Sequence, residues 1–163
     1  MIAPRAASAR SRLPPPPLDA VAVELEIPFC DVDPLEVAWF GHYPRYVDQA
    51  RTALLRSKRL DNDDCRALGV AFMVSESFIH HASALRYGDR VRVTAWFVEV
   101  ENRLKVAFQL RNVGTGVLAA EGWLTLVTVR AGSGLCLETP AEVVARVRGG
   151  TGSGLAASQV RSP

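Results

Sequence analysis

Phe29-Cys-Asp-Val-Asp-Pro-Leu-Glu-Val-Ala-Trp-Phe-Gly-His-Tyr-Pro-Arg-Tyr46 joins two stretches of different hydrophobic period. Before it, Val21, Val23, Leu25 and Ile27 alternate with Ala22, Glu24 and Glu26, the two-residue period of a strand. Asp31-Val-Asp-Pro34 breaks that strand, because Pro34 has no N–H to give a ladder. From His42 the period becomes helical. Tyr43, Tyr46, Val47, Ala50 and Leu54 fall on one face, and Arg45, Asp48, Gln49, Arg51 and Arg56 take the others. The spacing predicts a helix over about 42–58 and no other long one.

Downstream the chain is β-rich. Ala71–His81 reads as a strand. Val91, Val93, Ala95 and Phe97 alternate with Arg90, Arg92, Thr94 and Trp96, and Leu104, Val106, Phe108 and Leu110 alternate with Lys105, Ala107, Gln109 and Arg111. Asn112–Gly116 supplies the residues of a hairpin turn. Val117–Val129 is almost wholly apolar, which predicts burial on both faces. A short helix is expected at about 140–147, with Pro140 in its first turn. One strand, one long helix and about four consecutive antiparallel strands imply an α+β sheet wrapped around that helix.

The ends read differently from this unit. Residues 1–20 combine Ala, Ser and Arg with Pro14–Pro17, a composition expected to form a disordered or polyproline arm. Residues 149–163, rich in Gly, Ser and Thr, are expected to be a flexible tail. The folded unit is therefore expected over 21–148. At 163 residues the chain has the length of one domain, and 48% hydrophobic with 22% charged residues is ordinary globular composition.

A net charge of +2, without a basic stripe carrying interleaved aromatics, argues against nucleic acid as partner. It is compatible with a phosphate-bearing ligand or an acidic carrier protein. Cys30, Cys65 and Cys136 are odd in number and widely spaced, so neither a disulfide framework nor a zinc site is expected. They read as mostly buried thiols of a cytoplasmic protein. No apolar run approaches the roughly 18 residues of a membrane span, and no secretory signal is read in the basic, Pro-rich start. His80 and His81 are adjacent, so a strand would point them to opposite faces, and no metal is expected there.

The quoted stretch sets two carboxylates, Asp31 and Asp33, just before the N-terminus of the long helix. A helix start offers unpaired N–H groups and the positive end of its dipole, which suit a thioester carbonyl and the oxyanion formed on attack. A nearby carboxylate can attack that carbonyl or deprotonate water. The plainer alternative makes both Asp residues turn and capping groups. His42 has the same two readings, as a substrate contact or as a first-turn residue bonded to the loop. Trp39, Trp96 and Trp123 read as core or interface aromatics, with Trp39 also placed to line an acyl pocket.

Phe-x-Asp-x-Asp-Pro, followed by Trp-x-Gly-His-Tyr-x-x-Tyr and Ala50-Arg51, resembles hotdog-fold thioesterases of the 4-hydroxybenzoyl-CoA thioesterase type. Ala84-Leu-Arg-Tyr-Gly-Asp89 and Ala120-Glu-Gly122 extend the resemblance over about 21–148. Glu101-Asn-Arg-Leu-Lys105 and Leu135-Cys-Leu-Glu-Thr-Pro140 look most like thioesterase-like proteins of aryl-polyene and polyketide or fatty-acid gene clusters.

The resemblance implies a hotdog fold, a homodimer or homotetramer with sites between subunits, and no cofactor beyond the CoA or phosphopantetheine of the substrate. It assigns catalysis to Asp33, the second of the Asp pair, and the oxyanion contact to the backbone N–H of Phe40, aided by that of Gly41. It places the acyl group toward Val37–Phe40, makes His42, Trp39, Val37 and Tyr43 substrate-binding candidates, and puts the phosphates near Arg103 and Lys105, with Arg86 and Arg92 as weaker candidates. His81 stands where relatives tend to have Tyr, and Ala84 where Pro is usual. Phe40 stands where His or Tyr is frequent, which removes a side-chain role but not the main-chain one. The expected activity is hydrolysis of acyl- or aryl-CoA or acyl-carrier-protein thioesters. A non-hydrolytic acyl or carrier-protein binding module is the alternative, and a hotdog dehydratase ranks below it for want of an Asp/His motif.

Overall fold

The computed structural model describes residues 13–149. Residues 1–12 of the expected arm and 150–163 of the expected tail lie outside the described residues. Pro14–Pro17 are exposed and carry no regular structure, while Asp19 is tied to the buried Lys58 ammonium at 3.2 Å.

Five strands form one antiparallel sheet in the order β1-β3-β4-β5-β2: β1 (Val21–Glu26), β2 (Val70–His81), β3 (Arg90–Glu99), β4 (Leu104–Asn112) and β5 (Leu118–Arg130). A two-residue strand, β6 (Gly134–Leu135), folds back on the end of β5. The helix α1 (Tyr43–Ser57) packs on β1 and β3 across the concave face. This is the expected hotdog arrangement.

The periodicities explain the packing. Tyr43, Tyr46, Val47, Ala50 and Leu54, the apolar stripe of α1, are all buried, as are Val91, Val93, Ala95, Val106, Phe108 and Leu110 of the sheet facing it. Burying each Val or Leu contributes about 1.5–3 kcal/mol, so this layer dominates the stability. Gly122 lets β5 pass under it, since a Cβ there would run into the Phe78 carbonyl oxygen and the Phe108 ring edge. The turn expected at Asn112–Gly116 forms, with Asn112 Oδ1 accepting from Gly114 N–H at 2.9 Å and Gly116 at φ 71°. β5 is buried on both faces along most of its length.

Some expectations need adjustment. A second helix, α2 (Asn62–Leu68), forms where none was expected. Asp61 and Asp64 build a capping box at its start, and Gly69 ends it at φ 66°. The last helix, α3, covers Ala141–Gly149, with Pro140 just ahead of it rather than in its first turn. Only Cys65 of the three thiols is buried; Cys30 is exposed and Cys136 intermediate.

β2 is unlike its neighbours. It is one edge of the sheet, interrupted by a bulge between Val74 and Glu76, and it leaves Met73, Val74 and Phe78 exposed at 57%, 49% and 46%. No helix among the described residues is long and apolar enough to cross a membrane.

Candidate active site

The chain between β1 and α1 is pinned at each step. Ile27 N–H donates to the Asp89 carbonyl at 3.0 Å and its own carbonyl accepts from Gly88 N–H at 2.9 Å, which joins the end of β1 to the turn before β3. Val32 and Ala38 then pair as an isolated antiparallel bridge, and Asp33 N–H donates to the Val37 carbonyl at 2.9 Å. The turn of this miniature hairpin is closed by Glu36 N–H on the Asp33 carbonyl at 2.9 Å, with Pro34 at its second position. Glu36 sits at φ 61°, a left-handed conformation costly for a residue with a side chain. On the far side, Ala38 N–H donates to the Leu85 carbonyl at 2.8 Å. The strand carrying Asp33 therefore runs beside the one that leads to Phe40.

Asp31 and Asp33 have different surroundings. Asp31 is 2% exposed. Its Oδ2 accepts from the Tyr46 hydroxyl at 2.6 Å and from the Arg45 guanidinium, and His42 Nε2 lies 3.8 Å from Oδ1. Burial alone would raise the Asp31 carboxyl pKa, but the Arg45 and Tyr46 hydrogen bonds and the nearby cationic groups hold it below its ordinary value. The Asp31 carbonyl also accepts Trp39 N–H at 2.9 Å, so this residue anchors both the loop and the first turn of α1. Asp33 is half-buried, and one of its oxygens accepts Leu35 N–H at 2.8 Å, as a turn Asp does. Its second oxygen has no hydrogen-bond donor among the described residues.

A 3-10 turn, Phe40–His42, leads into α1. Trp39 N–H is used on Asp31, and His42 N–H donates to the Trp39 carbonyl at 3.0 Å. The Phe40 and Gly41 N–H groups between them find no carbonyl among the described residues, as the first groups of a helix do not. The Trp39 indole lies over Gly41, and a Cβ there would have to displace the ring. Trp39, Phe40 and the His42 imidazole pack against one another, with centroids 5.1 and 5.3 Å from the indole, and make a half-exposed aromatic rim.

The structure thus brings Asp33, Val37, Trp39, Phe40, Gly41 and His42 together in one short stretch. Tyr43 differs: it is 3% exposed, packs edge-on to His81 at 4.5 Å and supports the site from beneath. Burial lowers the His81 pKa, with His80 adding to the shift. Arg103 and Lys105 do not join Asp33 within the chain. They lie at the β3–β4 turn, the opposite end of that hairpin from Asp89, and Lys105 Nζ sits 4.3 Å over the Trp123 ring. Arg92, like Arg90, is paired with Glu24, leaving Arg86 as an exposed cation near the loop. Arg45 and Tyr46 are the residues that sequence reasoning passed over; the signal was their place one turn into the helix that follows the Asp pair.

Residues 27–147 match the model of the thioesterase-like superfamily. The chain belongs to that superfamily. Its fold is also that of solved thioesterases. A 1,4-dihydroxy-2-naphthoyl-CoA thioesterase from Synechocystis aligns at 16% identity and TM-score 0.68, over 79% of this chain and 96% of that one. The dynemicin thioesterase, studied with bound polyene, aligns at 22% identity and TM-score 0.68, over 80% and 96%. A Staphylococcus aureus protein solved in complex with CoA aligns at 14% identity and TM-score 0.71, over 88% and 96%. No curated protein matches the sequence. Family and fold agree with the thioester-hydrolase class expected from the sequence.

Proposed function

We propose that the protein hydrolyses acyl or aryl thioesters of CoA or of a phosphopantetheine carrier, with Asp33 as the catalytic carboxylate. One observation carries this reading: among the described residues Asp33 keeps an oxygen without a donor, beside a helix start whose Phe40 and Gly41 N–H groups lack acceptors. The thioester carbonyl accepts those N–H groups, and they stabilise the oxyanion as it forms, each donor supplying about 2.7–4 kcal/mol. Asp33 either attacks the carbonyl carbon, giving a mixed anhydride that water opens, or takes a proton from the attacking water. Both routes need the same carboxylate in the same place. The CoA named in the similar structures favours a CoA-type arm, and the chemistry draws on the Asp33 carboxylate, the main-chain N–H groups and water.

The reading includes a dimer. β2 presents an unpaired edge with exposed Met73, Val74 and Phe78, and antiparallel pairing with the β2 of a second copy would bury them. Pairing about the middle of β2 sets Val70 opposite the partner's His81, the end that packs on Tyr43. The start of β4, with Arg103 and Lys105, is at the same end of the sheet as Val70, since Leu104 pairs with Leu126 and Val70 with Arg130. Those cations thereby approach the partner's Asp33 loop, where the phosphates of the arm would lie.

The test is thiol release from a panel of acyl- and aryl-CoA esters by wild type and Asp33→Asn. Hydrolysis that falls at least about a hundredfold in the mutant supports the reading; equal rates overturn the role of Asp33. Binding of every ester without hydrolysis by either protein favours the non-hydrolytic module instead. For the assembly, Met73→Lys with Val74→Lys is expected to give a folded monomer by sedimentation, with activity lost alongside the dimer.

A further inference from the structure

A cavity of about 710 Å³ opens away from the Asp33 loop, between the second half of α1, α2 and the first residues of β2. Its volume is that of a small-molecule site. Leu55, Cys65, Phe72 and Val129 give it apolar walls, Asp61, Asn62 and Arg66 add a polar side, and an Asp48–Arg51 ion pair stands on α1. Arg51 Nη2 meets Asp48 Oδ1 at 2.5 Å, one turn apart on α1. The Arg51 side chain is only 20% exposed, and its Nε–H is buried without a hydrogen-bond partner. Buried donors are rarely left unpaired, because desolvation is then uncompensated. A hydrogen-bond acceptor entering the cavity removes that penalty; a purely apolar group perpetuates it.

The position of the cavity gives that acceptor a source. Under the dimeric reading proposed above, on which this inference rests, the Val70 end of β2 lies against the partner's His81 and the start of the partner's α1. An acyl group held at its carbonyl by one subunit's Phe40 then extends into the other subunit's cavity. The remaining question is charge. Asp48 already offsets the Arg51 guanidinium and Asp63 that of Arg66, and a further carboxylate would face those of Asp48 and Asp61. A neutral oxygen meets no such repulsion.

We propose that Arg51 is a specificity-determining residue, selecting acyl groups that carry a neutral oxygen acceptor, a hydroxyl or a carbonyl, at the end remote from the thioester. The site belongs to the dimer: one subunit supplies the carboxylate and oxyanion donors, and the other reads the far end of the acyl group.

The experiment uses CoA thioethers, which cannot be hydrolysed, matched in length and ending in methyl, hydroxyl or carboxylate. Calorimetric affinities are measured for the full chain as wild type, Arg51→Met and Arg51→Lys. Wild type is expected to prefer the hydroxyl end over methyl by about tenfold, the net discrimination of one hydrogen bond. Arg51→Met should lose that preference while binding the methyl-ended ligand as before, and Arg51→Lys, without an Nε–H, should not restore it. Equal wild-type affinities, or a preference that survives Arg51→Met, overturn the inference; tightest binding of the carboxylate overturns the neutral class. Asp48→Asn is the second variant should Arg51→Met not fold. It leaves Arg51 Nε in place, so it is expected to keep the hydroxyl preference and gain affinity for the carboxylate, and loss of both counts against the inference. The readout needs no turnover, so the two proposals fail separately. A wild type that never hydrolyses but keeps the preference breaks the hydrolase reading alone, and hydrolysis without the preference breaks this one alone.

Discussion

Asp31 and Asp33 sit two positions apart in one loop and end up with opposite fates. The Asp31 carboxylate is out of contact with water and saturated by Arg45, Tyr46 and the nearby His42. Asp33 is half-buried, spends one oxygen on its own turn, and keeps the other. A saturated carboxylate orients its neighbours, and an unsaturated one is available for chemistry. The difference comes from the helix: its first turn delivers a guanidinium and a phenol to Asp31 and neither to Asp33.

The largest effect should come from deleting an oxyanion donor while leaving both carboxylates intact. Phe40→Pro does this, because proline has no N–H. Trp39 at φ −61° and ψ 134° already has the conformation a residue before proline prefers, and the first helical position accepts proline well. The fold should therefore persist, with kcat for thioester hydrolysis about 10²–10³ lower. Unchanged kcat would place the oxyanion contact elsewhere.

Asp31→Asn should act on stability more than on chemistry. The amide can take the place of the carboxylate but not its charge, and the Tyr46 hydroxyl and Arg45 lose their strongest acceptor. The expected cost is about 1–3 kcal/mol in urea unfolding, with a smaller loss of activity than in Asp33→Asn. The pH dependence follows from the lowered Asp31 pKa. Its stabilisation is fully present above the unfolded value of about 3.9 and is lost as pH falls through the lower folded value. Wild type should thus lose stability more steeply than Asp31→Asn across that acid window. Parallel acid limbs would mean that the Arg45 and Tyr46 contacts add nothing to folding.

How much of this was legible in the sequence depends on how local each feature is. The alternation of β1, β3 and β4 and the helical stripe from Tyr43 to Leu54 are local patterns, and they fixed the sheet and its central helix. α2 is equally local but was passed over: at seven residues it is too short for a period, and its signal was the capping pair Asp61 and Asp64 with Gly69 beyond. The division of labour between Asp31 and Asp33 was not readable from their own segment, since it depends on side chains 14 and 15 residues on. The place of β2 at the far edge, beside β5, is less readable still, because it is set by non-consecutive pairing. The distance of Arg103 and Lys105 from Asp33 within the chain has the same origin, the antiparallel run of β3 and β4 that carries them to the other end of the sheet.

The smallest effect sharpens the claim that the main chain, and not the side chain, of residue 40 does the work. The Phe40 ring is 65% exposed and touches Trp39 at the rim, so Phe40→Ala removes surface area while keeping the N–H in place. Stability should stay within about 0.5 kcal/mol, as for most exposed substitutions. Turnover should remain within a few-fold of wild type, with any change concentrated in KM if the rim helps hold the acyl group. Steady-state kinetics on the best CoA ester found for wild type decides it. A kcat loss as deep as that of Phe40→Pro would assign the role to the ring, because alanine keeps the residue 40 oxyanion N–H that proline lacks.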